Sequence, residues 1–247
     1  MILRNPADGE YVDAPKKADV EIKVWDVDVE IKVWDVEQTR LFLAEAKRSS
    51  KHYALYLFCL CTAARQGEAL ALTWDDLDLM LGSVAIKRKV YRLNGELLVG
   101  KPKSRHGVRE VPLPPMLVEE LRRLKDNQRE RQALLGDRYE GHNLVFDGWD
   151  GKYLHVRNLI NRDFLKVIQR ARVPRIRFHD LRHSAASYLI ALGVDVNTVS
   201  KILGHHSAHF TLARYVHDVS GTKASAITKL EAHLLEPVSD NNSHPTD

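Results

Sequence analysis

The chain has 247 residues, enough for one large domain or one domain with appendages, and 44% of them are hydrophobic and 28% charged. With only thirteen glycines and nine prolines, collagen-like and low-complexity chains are excluded. The longest apolar run, Tyr53 to Cys61, has nine residues against the ~20 that span a bilayer, and Met1 to Glu10 holds no secretory core, so a soluble, cytoplasmic protein without a membrane partner is expected.

The formal charge of +4 hides a contrast. Residues 19 to 37 hold seven acids and two lysines, a net −5, which leaves +9 on the rest. Within this leader, DVEIKVWDV at 19–27 is repeated without change at 28–36, and its alternation of Val20, Ile22 and Val24 with polar neighbours suits an extended arm or a local hairpin. Residues 1–36 are expected to be linker and acidic repeat. From Glu37 a helical period sets in, and Tyr53 to Ala64 forms a second helix, apolar on nearly all sides and therefore buried. Cys59 and Cys61, two apart on that helix, cannot form a relaxed disulfide and read as reduced core residues.

Arg65 stands where the buried helix ends, and Glu68 to Leu72 gives another short helix. Val84–Tyr91, Glu96–Val99 and Val108–Val111 predict a small three-stranded antiparallel sheet, with Asn94-Gly95 turning its first hairpin. Pro114-Pro115 opens a long helix to about Leu135; further helices are expected over 156–171, 180–192, 196–203, 211–216 and 222–235. The fold class is α+β, mainly α, with a polar, disordered tail over 236–247.

Two basic stretches point to a polyanion. Residues 86–109 carry Lys87, Arg88, Lys89, Arg92, Lys101, Lys103, Arg105 and Arg109 against Glu96 alone; residues 152–182 carry nine cations, Arg175 and Arg177 among them, against Asp163 and Asp180. Among these, Lys87, Arg88, Lys89, Lys101, Arg105, Arg109, Arg175 and Arg177 are the candidate contacts to that polyanion. Chemistry is suggested by His179-Asp180-Leu181-Arg182-His183, Gly204-His205-His206 and Tyr215. His179 and Arg182 lie one helical turn apart and can face one small anion. The His179/His183 pair has metal-ligand spacing, but the glutamate of H-E-x-x-H is missing and the cation Arg182 lies between the two histidines in the chain, so no metal is expected. A helix, glycine turn and helix over 194–215 also fit an idle helix-turn-helix that reads a major groove; that alternative leaves Arg65-Gln66-Gly67-Glu68 without a purpose.

Thr62-Ala63-Ala64-Arg65-Gln66-Gly67-Glu68, Lys103 nine residues before Pro112, His179-x-x-Arg182, Gly204-His205 and Tyr215, in this order and spacing, resemble the catalytic domain of the phage-integrase family of tyrosine recombinases. The resemblance covers about 37–235, taken as the DNA breaking-rejoining domain. Ala63 stands where the family has glycine, and a positive φ there would strain the turn by about 1 kcal/mol. Family members place a separate helical DNA-clamping domain in front, so a catalytic domain alone is expected. The resemblance implies site-specific cleavage and rejoining of duplex DNA through a 3′-phosphotyrosine, with no cofactor. Tyr215 would be the nucleophile; Arg65, Arg182 and His205 would hold the phosphate. His179 would be the base and Lys103 the acid, with Glu68 steadying Arg65 and His183 packing behind. It also implies assembly, as a tetramer, on DNA and a monomer when free.

Overall fold

The computed structural model describes residues 32–102, 105–205, 209 and 211. The first repeat copy, the helices expected over 211–216 and 222–235, and the tail lie outside the described residues, as do Lys103, His206 and Tyr215 and the side chain of Arg105.

The first helix, α1 (Val36–Ser49), starts where Asp35 and Gln38 cap each other: Gln38 N–H donates to Asp35 Oδ1 at 2.7 Å, and Asp35 N–H donates to Gln38 Oε1 at 3.2 Å. Thr39, Phe42 and Ala46, spaced three and four apart, are its buried stripe. Just ahead of it, Trp34 is 1% exposed and stacks on Phe42 with ring centroids 4.7 Å apart. Its indole N–H donates to the Pro174 carbonyl at 2.7 Å, its amide to Ser184 Oγ at 3.2 Å, and its carbonyl accepts from the Tyr188 hydroxyl at 2.8 Å. The end of the second repeat copy, expected to be leader, is therefore part of the core. A period-2 pattern of charges had disguised a core tryptophan and a helix cap.

Helix α2 (Tyr53–Thr62) is buried along most of its length, as expected, and ends at Ala63 with φ 51°. Cys59 is buried and burial pushes its thiol pKa up, whereas Cys61 is exposed, which corrects its reading as a core residue; both are free. A single turn, α3 (Gln66–Ala69), follows.

The three-stranded antiparallel sheet is present with different members. Strands β1 (Leu77–Asp78), β2 (Ser83–Ile86) and β5 (Arg109–Pro112) form it in the order β1-β2-β5, while β3 (Lys89–Leu93) and β4 (Glu96–Gly100) pair only with each other. The expected strand 84–91 is broken at Lys87-Arg88 because these cations turn back to buried Asp76; Arg88 also donates to Thr73 Oγ1 at 2.7 Å. Asn94 and Gly95, both at positive φ, make the tight turn of the β3–β4 hairpin.

Helix α4 (Pro115–Leu135) begins with proline in its first turn and buries Leu117, Val118, Leu121 and Gln128. Residues 156–171, expected as one helix, run as α5 (Val156–Asn158), a π-helical stretch (Leu159–Phe164) and α6 (Leu165–Ala171). In the π stretch Asp163 accepts from Ser50 Oγ at 2.5 Å and Tyr56 Oη at 2.6 Å, binding it to the start of α2. Helices α7 (Asp180–Ala191) and α8 (Val196–Leu203) complete the described chain. Their small contact layer, Ala63, Ala185, Ala186, Val199 and Leu203, lies beside the main core that contains Trp34, Phe42, Tyr56, Phe164 and Phe178. None of these helices is long and apolar enough to cross a membrane among the described residues.

Trp34→Ala removes the largest fully buried side chain among the described residues and should lower unfolding stability by about 3–5 kcal/mol in urea titrations. Deleting residues 28–36 should leave stability unchanged, because the identical residues 19–27 then abut Glu37.

Candidate active site

The corner between α2 and α3 presents Arg65. Left-handed Ala63 reverses the chain, Arg65 takes an extended conformation as the N-cap of α3, and its side chain is partly exposed. Glu68, 3% exposed, reaches back: its Oε1 accepts from Arg65 Nη1 at 2.8 Å and its Oε2 from the Arg65 amide at 3.0 Å. The steadying contact expected of Glu68 is present. Burial alone would raise its pKa, but the charges and hydrogen bonds of Arg109 and Arg65 outweigh that and hold it below the usual carboxylate value. Gly67 completes the motif sterically. A Cβ there would meet the Val90 carbonyl oxygen at 2.5 Å, so only glycine lets α3 lie against β3.

Arg182, on the first turn of α7, is 2% exposed. Its Nη1 donates to the Ala63 carbonyl at 2.6 Å and its Nη2 to the Leu203 carbonyl. It thereby joins the turn that carries Arg65 to the end of α8, two residues before His205. That helix ends at Gly204 (φ 62°), whose absent side chain matters twice: the backbone needs the left-handed region, and a Cβ would sit 2.9 Å from the His106 carbonyl oxygen. The His205 ring is set by a 2.8 Å hydrogen bond between Nδ1 and the hydroxyl of buried Thr211, a partner that no spacing argument had singled out.

His179 caps the start of α7 with its side chain reaching the surface, and its ring packs edge-on against buried His183, centroids 4.9 Å apart. Loss of water around the ring and the field of Arg182, with smaller contributions from Arg65 and Arg177, outweigh Asp180 and lower its pKa to about 4. It is neutral at pH 7. Asp180 is buried and binds the Arg177 amide at 2.8 Å and its guanidinium at 2.9 Å, which fixes the bend into α7.

The structure thus gathers Arg65, Glu68, Arg182, His179, His183 and His205 at one corner. Lys103 and Tyr215 lie outside the described residues. Of the candidate DNA contacts, Lys87, Lys101, Arg175 and Arg177 are exposed, Arg177 with its fork on Asp180. Arg88 is engaged with Asp76, and Lys89 lies over the Tyr91 ring at 5.3 Å. Arg109 is corrected: its side chain is 6% exposed and its donors are turned onto Glu68, Gly107 and Ile202 instead of solvent. The Tyr188 hydroxyl is engaged by Thr39 and the carbonyls of Trp34 and Asp35, and burial raises its pKa, so this tyrosine is committed to the fold.

Residues 32–221 match the phage integrase family, and the chain belongs to that family. It is 28% identical over 245 residues to a XerC-like tyrosine recombinase of Caldanaerobacter subterraneus, covering 93% of this chain and 60% of the relative. It is 30% identical over 176 residues to the ICEBs1 integrase of Bacillus subtilis, covering 71% of this chain and 47% of that protein. The chain therefore spans about half to three-fifths of these relatives' length. In fold it is similar to the Tn1549 transposon integrase solved with a circular intermediate DNA, with TM-score 0.70 and 20% identity over 84% of this chain and 67% of that one. It is also similar to the catalytic domain of bacteriophage HP1 integrase, with TM-score 0.53 and 20% identity over 85% and 98% of the two chains. The fold is that of a tyrosine-recombinase catalytic domain.

Glu68→Ala leaves Arg109 buried without its counter-ion and should cost about 3–5 kcal/mol of stability. Because the folded pKa of Glu68 lies below its unfolded value, its contribution is complete above the ordinary carboxylate range and is lost as pH falls through the lowered value. Comparing acid denaturation of Glu68→Gln with wild type should show that component missing. Gly204→Ala should destabilise by more than about 1 kcal/mol, since strain in φ adds to the close approach.

Proposed function

We propose that this chain cleaves and rejoins duplex DNA one strand at a time through a covalent tyrosyl intermediate, acting in the cytoplasm on a specific site. The observation that carries the reading is the meeting of Arg65, Arg182 and His205 at one corner through the carbonyls of Ala63 and Leu203. The names of the relatives, a tyrosine recombinase and integrases, point the same way.

A phosphodiester resists attack because its non-bridging oxygens carry charge. Arg65 and Arg182 would offset that charge with planar N–H forks, and His205 would add a hydrogen bond. The Tyr215 hydroxyl attacks phosphorus and gives its proton to His179, which is neutral at working pH. The P–O5′ bond breaks as the new P–O(Tyr) bond forms, and Lys103 supplies the proton that the leaving 5′-oxygen takes. A 3′-phosphotyrosine and a free 5′-hydroxyl result; attack by a 5′-hydroxyl reverses the steps. Bond energy is kept in the phosphotyrosine, so the sequence as written draws on neither a nucleotide nor a metal ion. Lys87, Lys89, Lys101, Arg105, Arg175 and Arg177 would hold the flanking backbone, with assembly of four copies on DNA for exchange between two duplexes.

Selection from a pool of nicked duplexes of randomised sequence should enrich the members that carry the site, recovered as an SDS-stable protein–DNA adduct. Tyr215→Phe should abolish it while DNA affinity is retained; an adduct that survives the change overturns the assignment, and a wild type that binds but never forms one favours an idle DNA-binding domain. The adduct kcat/KM should stay flat on acidification until pH approaches about 4, where protonation removes His179 as base. A limb near the ordinary histidine value would contradict that role.

A further inference from the structure

We propose that Arg109 is a positioning residue for strand cleavage: its guanidinium holds Glu68 on one side and the end of α8 on the other, keeping Arg65 and His205 in register. The inference rests on the cleavage reading above. Arg109 begins β5, paired with Ile86 of β2, so its backbone is anchored in the sheet. From there Nη2 donates to Glu68 Oε2 at 2.9 Å, Nε to the Ile202 carbonyl at 2.6 Å and Nη1 to the Gly107 carbonyl at 3.2 Å.

Each of these acceptors matters to a different part of the site. The Glu68 carboxylate is divided, one oxygen on the Arg65 guanidinium and the other shared between the Arg65 amide and Arg109. Without Arg109, the buried carboxylate loses a charge partner and its hold on Arg65 loosens. On the other side, a helix leaves its last four carbonyls without helical partners. In α8 the accounting is complete: the Ser200 carbonyl takes the His205 amide, Lys201 takes the Gly204 amide, Ile202 takes Arg109 and Leu203 takes Arg182. Two arginines therefore close the helix that delivers His205, and the negative end of its dipole favours both. Gly204 leaves the space, since a Cβ would lie 3.0 Å from Arg109 Nη1 and 3.1 Å from its Cδ.

Lysine is not an equivalent. Its ammonium is one point of charge and cannot span Glu68 and Ile202 in the plane that the guanidinium does. Arg109→Lys keeps the charge and so separates positioning from electrostatics.

The test uses the full chain and, as probe, a nicked duplex recovered from the adduct selection above. Arg109→Lys should bind that duplex within about two-fold of wild type. At saturating DNA, its rate of adduct formation should fall by on the order of 10- to 100-fold, the range for a displaced supporting contact. In 15N-histidine spectra the His205 ring signals should shift while those of His142, which packs on Tyr153, stay in place. An unchanged adduct rate or an unmoved His205 ring overturns the inference. So does weaker binding with a salt slope reduced by about one and a normal rate at saturation, which would make Arg109 a phosphate contact. Should the variant melt below assay temperature, the wild type still decides: its Arg109 Nε–H should exchange slowly with solvent and keep its chemical shift when duplex is added, and a shift on DNA addition overturns the proposal. A wild type that forms no adduct on any duplex instead overturns the cleavage reading.

Discussion

A guanidinium with a carbonyl oxygen on each side holds this site together. Arg182 is donated by α7, yet the two acceptors come from residue 63 and residue 203, segments far apart in the chain. Hydrogen bonds from a charged donor to backbone oxygen are stronger than neutral ones, and burial removes the water that would compete for them. The geometry follows: the turn before Arg65 and the end of the helix before His205 cannot drift apart while Arg182 is in place. Its first function is thus architectural, and any contact with a substrate oxygen is made by a side chain already fixed by its neighbours.

Around that tie the charges are arranged in layers. Glu68 is the buried anion, with Arg109 buried against it and Arg65 partly exposed on its other oxygen. One cation is spent on structure so that the other can face outward in a set direction. His179 stands in the field of Arg182, Arg65 and Arg177, which favours its neutral form. A ring that would ordinarily titrate close to neutrality is thereby kept uncharged, by its burial first and by these cations second.

Much of this was legible in the chain. The helix over 115–135 showed its proline start, α8 its glycine end, and the tight turn its Asn94-Gly95 pair, all local signals. Order and spacing singled out Arg65, Glu68, His179, Arg182 and His205, which the fold brings to one corner. What failed was non-local. The break at Lys87-Arg88 depends on Asp76, which closes the gap only in three dimensions. The π-helical stretch depends on what its residues meet across the core. Arg109 looked like one more charge in a basic run because a sequence counts cations without saying which are buried; its partner Glu68 is 41 residues away. Trp34 was hidden by repetition: a unit seen twice reads as ornament, although its second indole lies under α7.

Ala63 sets a limit on how this corner can vary. A left-handed backbone favours glycine, whereas the surrounding Ala185, Ala186, Val199 and Leu203 reward a methyl group. The two terms are of similar size, about 1 kcal/mol each, so glycine and alanine are near-equal solutions for that position. Anything larger or β-branched meets both the forbidden backbone region and a closed wall of side chains. Descent through this site therefore has a two-letter alphabet at residue 63, and drift between those letters leaves the carbonyl that Arg182 binds where it is.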